Sequence, residues 1–145
     1  IEPSVIDALY QASAAGVQID LIVRGMCTLR PGVKGLSENI RVRSIIGRQL
    51  EHSRVYCFHN NGADDTFISS ADWMGRNFFR RIEVATPITT PELKERVIRE
   101  GLEMALEDNT QAWLMQPDGS YVRTQPQDGK PAFGLQEGLW KIYGR

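Results

Sequence analysis

Leu50-Glu51-His52-Ser53-Arg54-Val55-Tyr56-Cys57-Phe58-His59 and Phe67-Ile68-Ser69-Ser70-Ala71-Asp72-Trp73-Met74-Gly75-Arg76-Asn77 are two β-type runs that carry the densest polar chemistry of this chain. Between them, Asn60-Asn61-Gly62-Ala63-Asp64-Asp65 is rich in residues that tolerate positive φ, so the two runs are predicted to pair as a hairpin. Side chains two apart on an extended strand share a face, which puts His52 with Arg54 and Ser70 with Asp72. Hairpin pairing then gathers both polar pairs near one end of neighbouring strands.

Upstream, Glu2-Pro3-Ser4 opens a helix with an apolar stripe at Val5, Ile6, Leu9, Ala12 and Ala15, and Gly16 is its natural stop. Residues 17–23 alternate and then become continuously apolar, as in a strand buried on both faces between helices. Arg24 follows at the carboxyl end of that strand, where ligands gather in open α/β sheets, and so is a candidate anion ligand. Residues 25–39 form a long loop in which Gly25, Gly32 and Gly35, with Arg30 and Lys34, can cradle phosphate oxygens, or serve only as a connector, since no Walker spacing is present. Residues 39–46 predict a short strand, and Ile45, Ile46 and Leu50 a helix after it.

Downstream of the hairpin, Trp73, Phe78 and Phe79 provide bulk, and Arg76, Arg80 and Arg81 add positive charge. Ile82-Glu83-Val84-Ala85 reads as another strand. Thr89-Thr90-Pro91-Glu92 combines capping hydroxyls, proline and an acidic first turn, and starts a packing helix with Leu93, Val97, Ile98, Leu102, Ala105 and Leu106 on one face. Residues 112–115 and 121–123 flank the turn Pro117-Asp118-Gly119-Ser120 and predict a closing hairpin. A final short helix is expected from Phe133 to Tyr143, packing through Phe133, Leu139, Trp140 and Tyr143.

Composition bounds the function. The 145 residues suit a single domain, with an ordinary 41% hydrophobic and 24% charged content. A net charge of −1 argues against nucleic-acid coating, so any anion site must be local. Two cysteines, Cys27 and Cys57, without a signal segment fit free thiols in a cytoplasmic protein. No apolar run is long enough to span a membrane. The chain begins with Ile and enters helix-like sequence at once, which reads as a piece excised from a longer polypeptide.

The pattern His52-x-Arg54 followed by Ser69-Ser70-x-Asp72-Trp73 resembles a divergent form of the His-x-Lys and Gly-Ser-x-Asn signature of the phospholipase D superfamily. Glu83 loosely resembles the acidic residue trailing that signature; a strand-end glutamate paired with an arginine reads equally well. Together with Leu21-Ile22-Val23-Arg24-Gly25-Met26-Cys27, the block from Pro31 to Ile40, and Leu50-Glu51-His52-Ser53-Arg54, the chain resembles more narrowly the C-terminal domain of the bacterial polyphosphate kinase family. That resemblance implies an α/β fold, a phospholipase D-like mixed sheet flanked by helices with a C-terminal hairpin and helix. It also implies reversible transfer of the terminal phosphoryl group of ATP to inorganic polyphosphate through a phosphohistidine on the preceding domain, which lies outside this chain. Arg24 and His52 are then the ATP- and phosphate-contacting residues, His52 also the catalytic acid or base, with Arg54, Ser70 and Asp72 as further site residues. Mg²⁺ is the implied cofactor, with no ligand assignable in this chain, and ADP, polyphosphate, the upstream domains and a homo-oligomer are the implied partners. The isolated chain is expected to be inactive.

Two other readings stay open from the residues. One is half of a phospholipase D-like phosphodiesterase in which His52 attacks phosphorus, although Arg54 and Asp72 replace the signature's Lys and Asn, and the aspartate brings negative charge toward an incoming anion. The other is a non-catalytic anion-binding module that needs only the basic loop and the arginines.

Overall fold

A computed structural model describes residues 1–144. Helix α1 (Pro3–Ala14) starts with Pro3 in its first turn and the Glu2 side chain accepting from Val5 N, and Gly16, at φ +92°, turns the chain away from it. Strand β1 (Ile19–Ile22) pairs parallel with β2 (Ile40–Ile45), and β2 pairs antiparallel with β6 (Ala112–Met115), which forms a hairpin with β7 (Tyr121–Arg123). A second sheet contains β3 (Val55–Phe58), β4 (Asp65–Ser69) and β5 (Ala85–Pro87), all antiparallel. The mixed α/β class is as expected, but the strands divide between two sheets.

The first sheet is covered on both faces. Leu29, Ile40 and Val42 are buried against Ile6, Leu9 and Tyr10 of α1, whereas Ile45 and Ala112 pack with Met104, Ala105 and Leu135. β1 lies at the sheet's edge, so its residues are only partly buried rather than enclosed, and Asp20 turns outward to pair with Arg41 at 2.7 Å. The hairpin β3–β4 forms as predicted, with Asn60, Asn61 and Asp64 in its loop at φ +38°, +54° and +49°.

Helices α3 (Pro91–Ile98) and α4 (Met104–Glu107) form one run joined by a π turn, Arg99–Glu103. Pro91 in the first turn and Glu92 mark its start; the Thr90 side chain makes no capping bond. Arg43 donates to the carbonyls of Ala105 (3.0 Å) and Leu106 (2.6 Å), closing the far end of the run onto β2. Asp108, 2% exposed, then accepts from Thr110 N, Gln111 N and Ala112 N through one oxygen and from Leu135 N through the other. It thereby joins the end of α4 to β6 and to α5 (Leu135–Tyr143).

Several sequence expectations are corrected. Residues 46–54 are a loop, not a helix: Ile45 continues β2 by pairing with Ala112, and Ile46 and Leu50 are exposed. A Cβ at Gly47 would approach Gln111 Oε1 to 2.6 Å, so the loop runs closely against the ends of the Gln111 and Gln136 side chains. Residues 82–84 precede the strand, because Ser69 Oγ and Ser70 N both donate to Val84 O and the ladder begins only at Ser69 and Ala85. Residues 75–80 form α2 (Gly75–Arg80), with Phe78 and Phe79 exposed rather than packed. Trp140 and Tyr143 are likewise exposed, and α5 is seated through Leu135 and Leu139 together with the preceding Phe133.

The loop at 25–39 is packed on itself. Ser37, fully buried, donates to Arg30 O (2.6 Å) and accepts from Val33 N (3.0 Å), while the Arg30 guanidinium donates to Pro117 O at 2.6 and 2.9 Å. Pro117 lies in the β6–β7 turn, at the amino end of β2 and so opposite Arg24. The cradle expected of Arg30 and Lys34 is therefore remote from the other candidate residues.

Candidate functional site

The site forms where the exits of the two sheets meet. Arg24 follows β1 of the first sheet, Arg54 immediately precedes β3 of the second, and Asp72 comes three residues after β4. Asp72 Oδ1 accepts from Arg24 NH2 at 3.0 Å and from Arg54 Nε at 3.0 Å, with Arg54 NH2 at 2.9 Å from the same oxygen. Where the resemblance implies one mixed sheet there are two, and this carboxylate bridges them. All three side chains are less than a third exposed, so their charges are only partly screened. Two guanidiniums against one carboxylate leave a net positive site. The repulsion of anions expected from Asp72 is thereby reversed.

The two arginines differ in what they leave free. Every nitrogen of Arg54 faces a partner: Nε and NH2 face Asp72, while NH1 lies 2.8 Å from His52 Nδ1 and donates to His52 O at 3.0 Å. Arg24 donates through NH1 to Glu51 O at 3.1 Å and through NH2 to Asp72. Among the described residues, its Nε and one N–H on each terminal nitrogen have no partner. A guanidinium has five N–H donors in a fixed fork; Arg24 keeps three of them without a partner, on all three nitrogens, whereas Arg54 keeps donors only on NH2, so Arg24 is the better equipped to receive phosphate oxygens. A cleft of about 570 Å³ opens beside it, walled in part by Arg48, Gln49, Glu51, Trp113 and Tyr121.

Supporting bonds fix the site from behind. Tyr56 stacks on Trp73 with ring centroids 5.2 Å apart and donates to Ala71 O at 3.1 Å, and burial pushes its hydroxyl above the ordinary tyrosine value, which keeps it a donor. Glu2 N donates to Trp73 O at 2.8 Å, tying the start of α1 to the segment holding Asp72. Gln136 of α5 receives Gln49 N at 2.9 Å and donates to Gln49 O and Glu51 Oε1, both at 2.7 Å. It thus pins the loop whose Glu51 carbonyl holds Arg24. Sequence reasoning missed Gln136, because these contacts span more than eighty residues and nothing local signals them.

Ser70 does not bond to this cluster. Its hydroxyl donates to Glu83 and accepts from Val84 N at 3.0 Å, and Asn77 Nδ2 donates to the other Glu83 oxygen at 2.6 Å. These bonds hold the Glu83 carboxyl below its ordinary value. Glu83 therefore pairs with Ser70 and Asn77 rather than with an arginine. His59 lies apart on the hairpin loop, its Nδ1 3.0 Å from Asp64 Oδ1. Cys27 and Cys57 are free thiols. Among the described residues no cluster of three or more metal-ligating side chains occurs, and no helix is long and apolar enough to cross a membrane.

Fold and site together define a mixed α/β domain with an arginine-centred site at the carboxyl end of a sheet. Comparison with known proteins gives its family: the model of polyphosphate kinase C-terminal domain 2 matches residues 1–136, and the chain belongs to that family. It is 82% identical over 144 residues to a polyphosphate kinase of Neisseria meningitidis serogroup C, covering 99% of this chain and 21% of the relative. A Burkholderia vietnamiensis polyphosphate kinase is 62% identical over 139 residues, covering 96% of this chain and 20% of the relative. The crystal structure of polyphosphate kinase from Porphyromonas gingivalis superposes with a TM-score of 0.90 at 42% identity, over 96% of this chain and 21% of that one. The chain thus spans about a fifth of the length of these relatives.

Proposed function

We propose that this chain is the ATP- and phosphate-contacting domain of a polyphosphate kinase, which reversibly transfers the terminal phosphoryl group of ATP to inorganic polyphosphate through a phosphohistidine carried by a preceding domain. The observation that carries the reading is Arg24: held by Asp72 and the Glu51 carbonyl, it keeps its remaining donors free beside a cleft. Phosphoryl transfer accumulates charge on non-bridging oxygens, and a guanidinium fixed before substrate arrives stabilises that charge without reorganising. His52, exposed and oriented by Arg54, stands ready to contact a phosphate oxygen or exchange a proton with it. ADP and polyphosphate, contact with the other domains of the same polypeptide, homo-oligomerisation and a cytoplasmic setting belong to the same proposal.

Mg²⁺ is part of the proposed reaction, but the side chains here do not fit a dedicated site for it. Asp72 Oδ1 already faces two guanidiniums, and no cluster of carboxylates stands nearby among the described residues. No step in this chain is therefore routed through the metal.

The test is Arg24→Lys in the complete polypeptide, which keeps the charge and loses the fork. Polyphosphate synthesis is expected to fall by about tenfold or more with little change in melting temperature. Near-normal activity with a lowered melting temperature would refute the assignment.

A further inference from the structure

We infer that Arg54 is a positioning residue that fixes the tautomer of His52, so that the imidazole presents Nε2–H outward as a hydrogen-bond donor. A guanidinium can donate but never accept, and its NH1 lies 2.8 Å from His52 Nδ1. Nδ1 must therefore hold a bare lone pair, and the proton of the neutral ring sits on Nε2. The same NH1 donates to the His52 carbonyl at 3.0 Å, so ring and backbone of one residue are gripped together and the ring cannot rotate freely. Arg54 is itself held from the other side by Asp72. The result is a relay of orientation running from Asp72 through Arg54 to His52, with no free donor nitrogen at its middle.

This arrangement separates two roles that a histidine near phosphate can play. A nucleophile needs a bare nitrogen at the attacking position, whereas a donor to a phosphate oxygen needs N–H there. With Nδ1 turned onto Arg54, the outward nitrogen is Nε2–H, which suits a donor to an anionic oxygen. His59 supplies the contrast within the same chain. Its Nδ1 faces Asp64 Oδ1 at 3.0 Å, and a carboxylate accepts, so there the proton belongs on Nδ1. The functional consequence for His52 rests on the proposed reading of the site as phosphate-contacting; the tautomer assignment does not.

This chain contains only two histidines, so segmental ¹⁵N labelling of it within the complete polypeptide gives two imidazole spin systems whose long-range proton–nitrogen correlations report which nitrogen carries hydrogen. At a pH where the rings are neutral, His52 is expected to show a bare Nδ1 and a protonated Nε2, and His59 a protonated Nδ1. Arg54→Met should move His52 toward the mixture of a free imidazole and leave His59 unchanged. A protonated Nδ1 on His52, a free-imidazole mixture in the unsubstituted chain, or shifts indifferent to Arg54→Met would each overturn the inference. In the complete polypeptide, a double-mutant cycle reads the functional link. Arg54→Met should lower polyphosphate synthesis about tenfold more in the presence of His52 than in a His52→Gln background, whose amide is free of tautomers. Equal losses in both backgrounds would mean that Arg54 acts only through Asp72 and Arg24. The tautomer as expected, with no synthesis of polyphosphate by the unsubstituted complete polypeptide, would uphold the assignment of Arg54 and refute the proposed function instead.

Discussion

Removing the Asp72 carboxylate should loosen both sheets and disarm the site at once. Asp72→Ala strips Arg24 and Arg54 of the oxygen they share at 3.0 and 2.9 Å. The side chains are 28% and 19% exposed for the arginines and 26% for the aspartate. Each pair therefore falls between an exposed ion pair, about 0–1 kcal/mol, and a charge-assisted hydrogen bond, about 1.5–3 kcal/mol; we take about 1 kcal/mol for each. The guanidiniums left behind have nitrogens 3.0 and 2.9 Å from one oxygen, hence within about 6 Å of each other, and would repel by about 3 kcal/mol at an effective dielectric constant of about 20, but both can swing toward solvent and shed most of this. The net expectation is a loss of about 2 kcal/mol, or about 4–8 °C in melting temperature for a domain of this size. Asp72→Asn, which retains a carbonyl acceptor without the charge, should lose about half as much. Scanning calorimetry measures the stability, and synthesis by the complete polypeptide should fall at least about tenfold as Arg24 loses its anchor. An Asp72→Ala protein that melts within about 1 °C of the unsubstituted one and keeps its activity would refute the bridging role.

Asp108→Ala should destabilise by about 3–5 kcal/mol in urea denaturation, since it strands the four backbone N–H groups that the buried carboxylate satisfies; a loss under about 1 kcal/mol would show that other groups satisfy them. Glu83 titrates with the opposite sign to a base: its carboxyl is held low in the fold by Ser70 and Asn77, so its contribution is present above the pKa of the unfolded chain and is lost as pH falls through the folded value. The melting temperature of the unsubstituted protein should therefore converge on that of Glu83→Gln as the solution is made strongly acidic, whereas a gap that widens on acidification would contradict this.

The parts of the fold written in local sequence were readable. Alternation and the Asn-rich loop specified the β3–β4 hairpin, and it is this hairpin that brings Arg54, just before β3, to Asp72, just beyond β4. Arg24 was legible for a different reason, its place after an apolar strand. Ser70 shows the limit of that periodicity. It shares a strand face with Asp72 in the pattern, but the chain has left β4 by then, and its hydroxyl turns to Glu83 and Val84.

What failed depended on distant partners. The apolar spacing of Ile45, Ile46 and Leu50 imitates a helix, yet Ala112 draws Ile45 into the ladder and Gln136 takes up both backbone groups of Gln49 in the following loop. The Arg30 loop could be read as an anion cradle or as a mere connector because its glycines and cations are local signals, whereas its actual partner, the Pro117 carbonyl, lies 87 residues away. The division into two sheets and the bridge across them by one carboxylate also arise only from tertiary packing.

The proposed role of this chain is to contact the transferred phosphate without carrying it covalently. It is tested most directly by labelling the complete polypeptide with ATP radioactive in its terminal phosphate, digesting it under conditions that preserve phosphohistidine, and mapping the labelled peptide. Acid-labile phosphate is expected on a peptide outside residues 1–145, with His52 unmodified. Phosphate recovered on His52 would contradict it and make this imidazole the nucleophile.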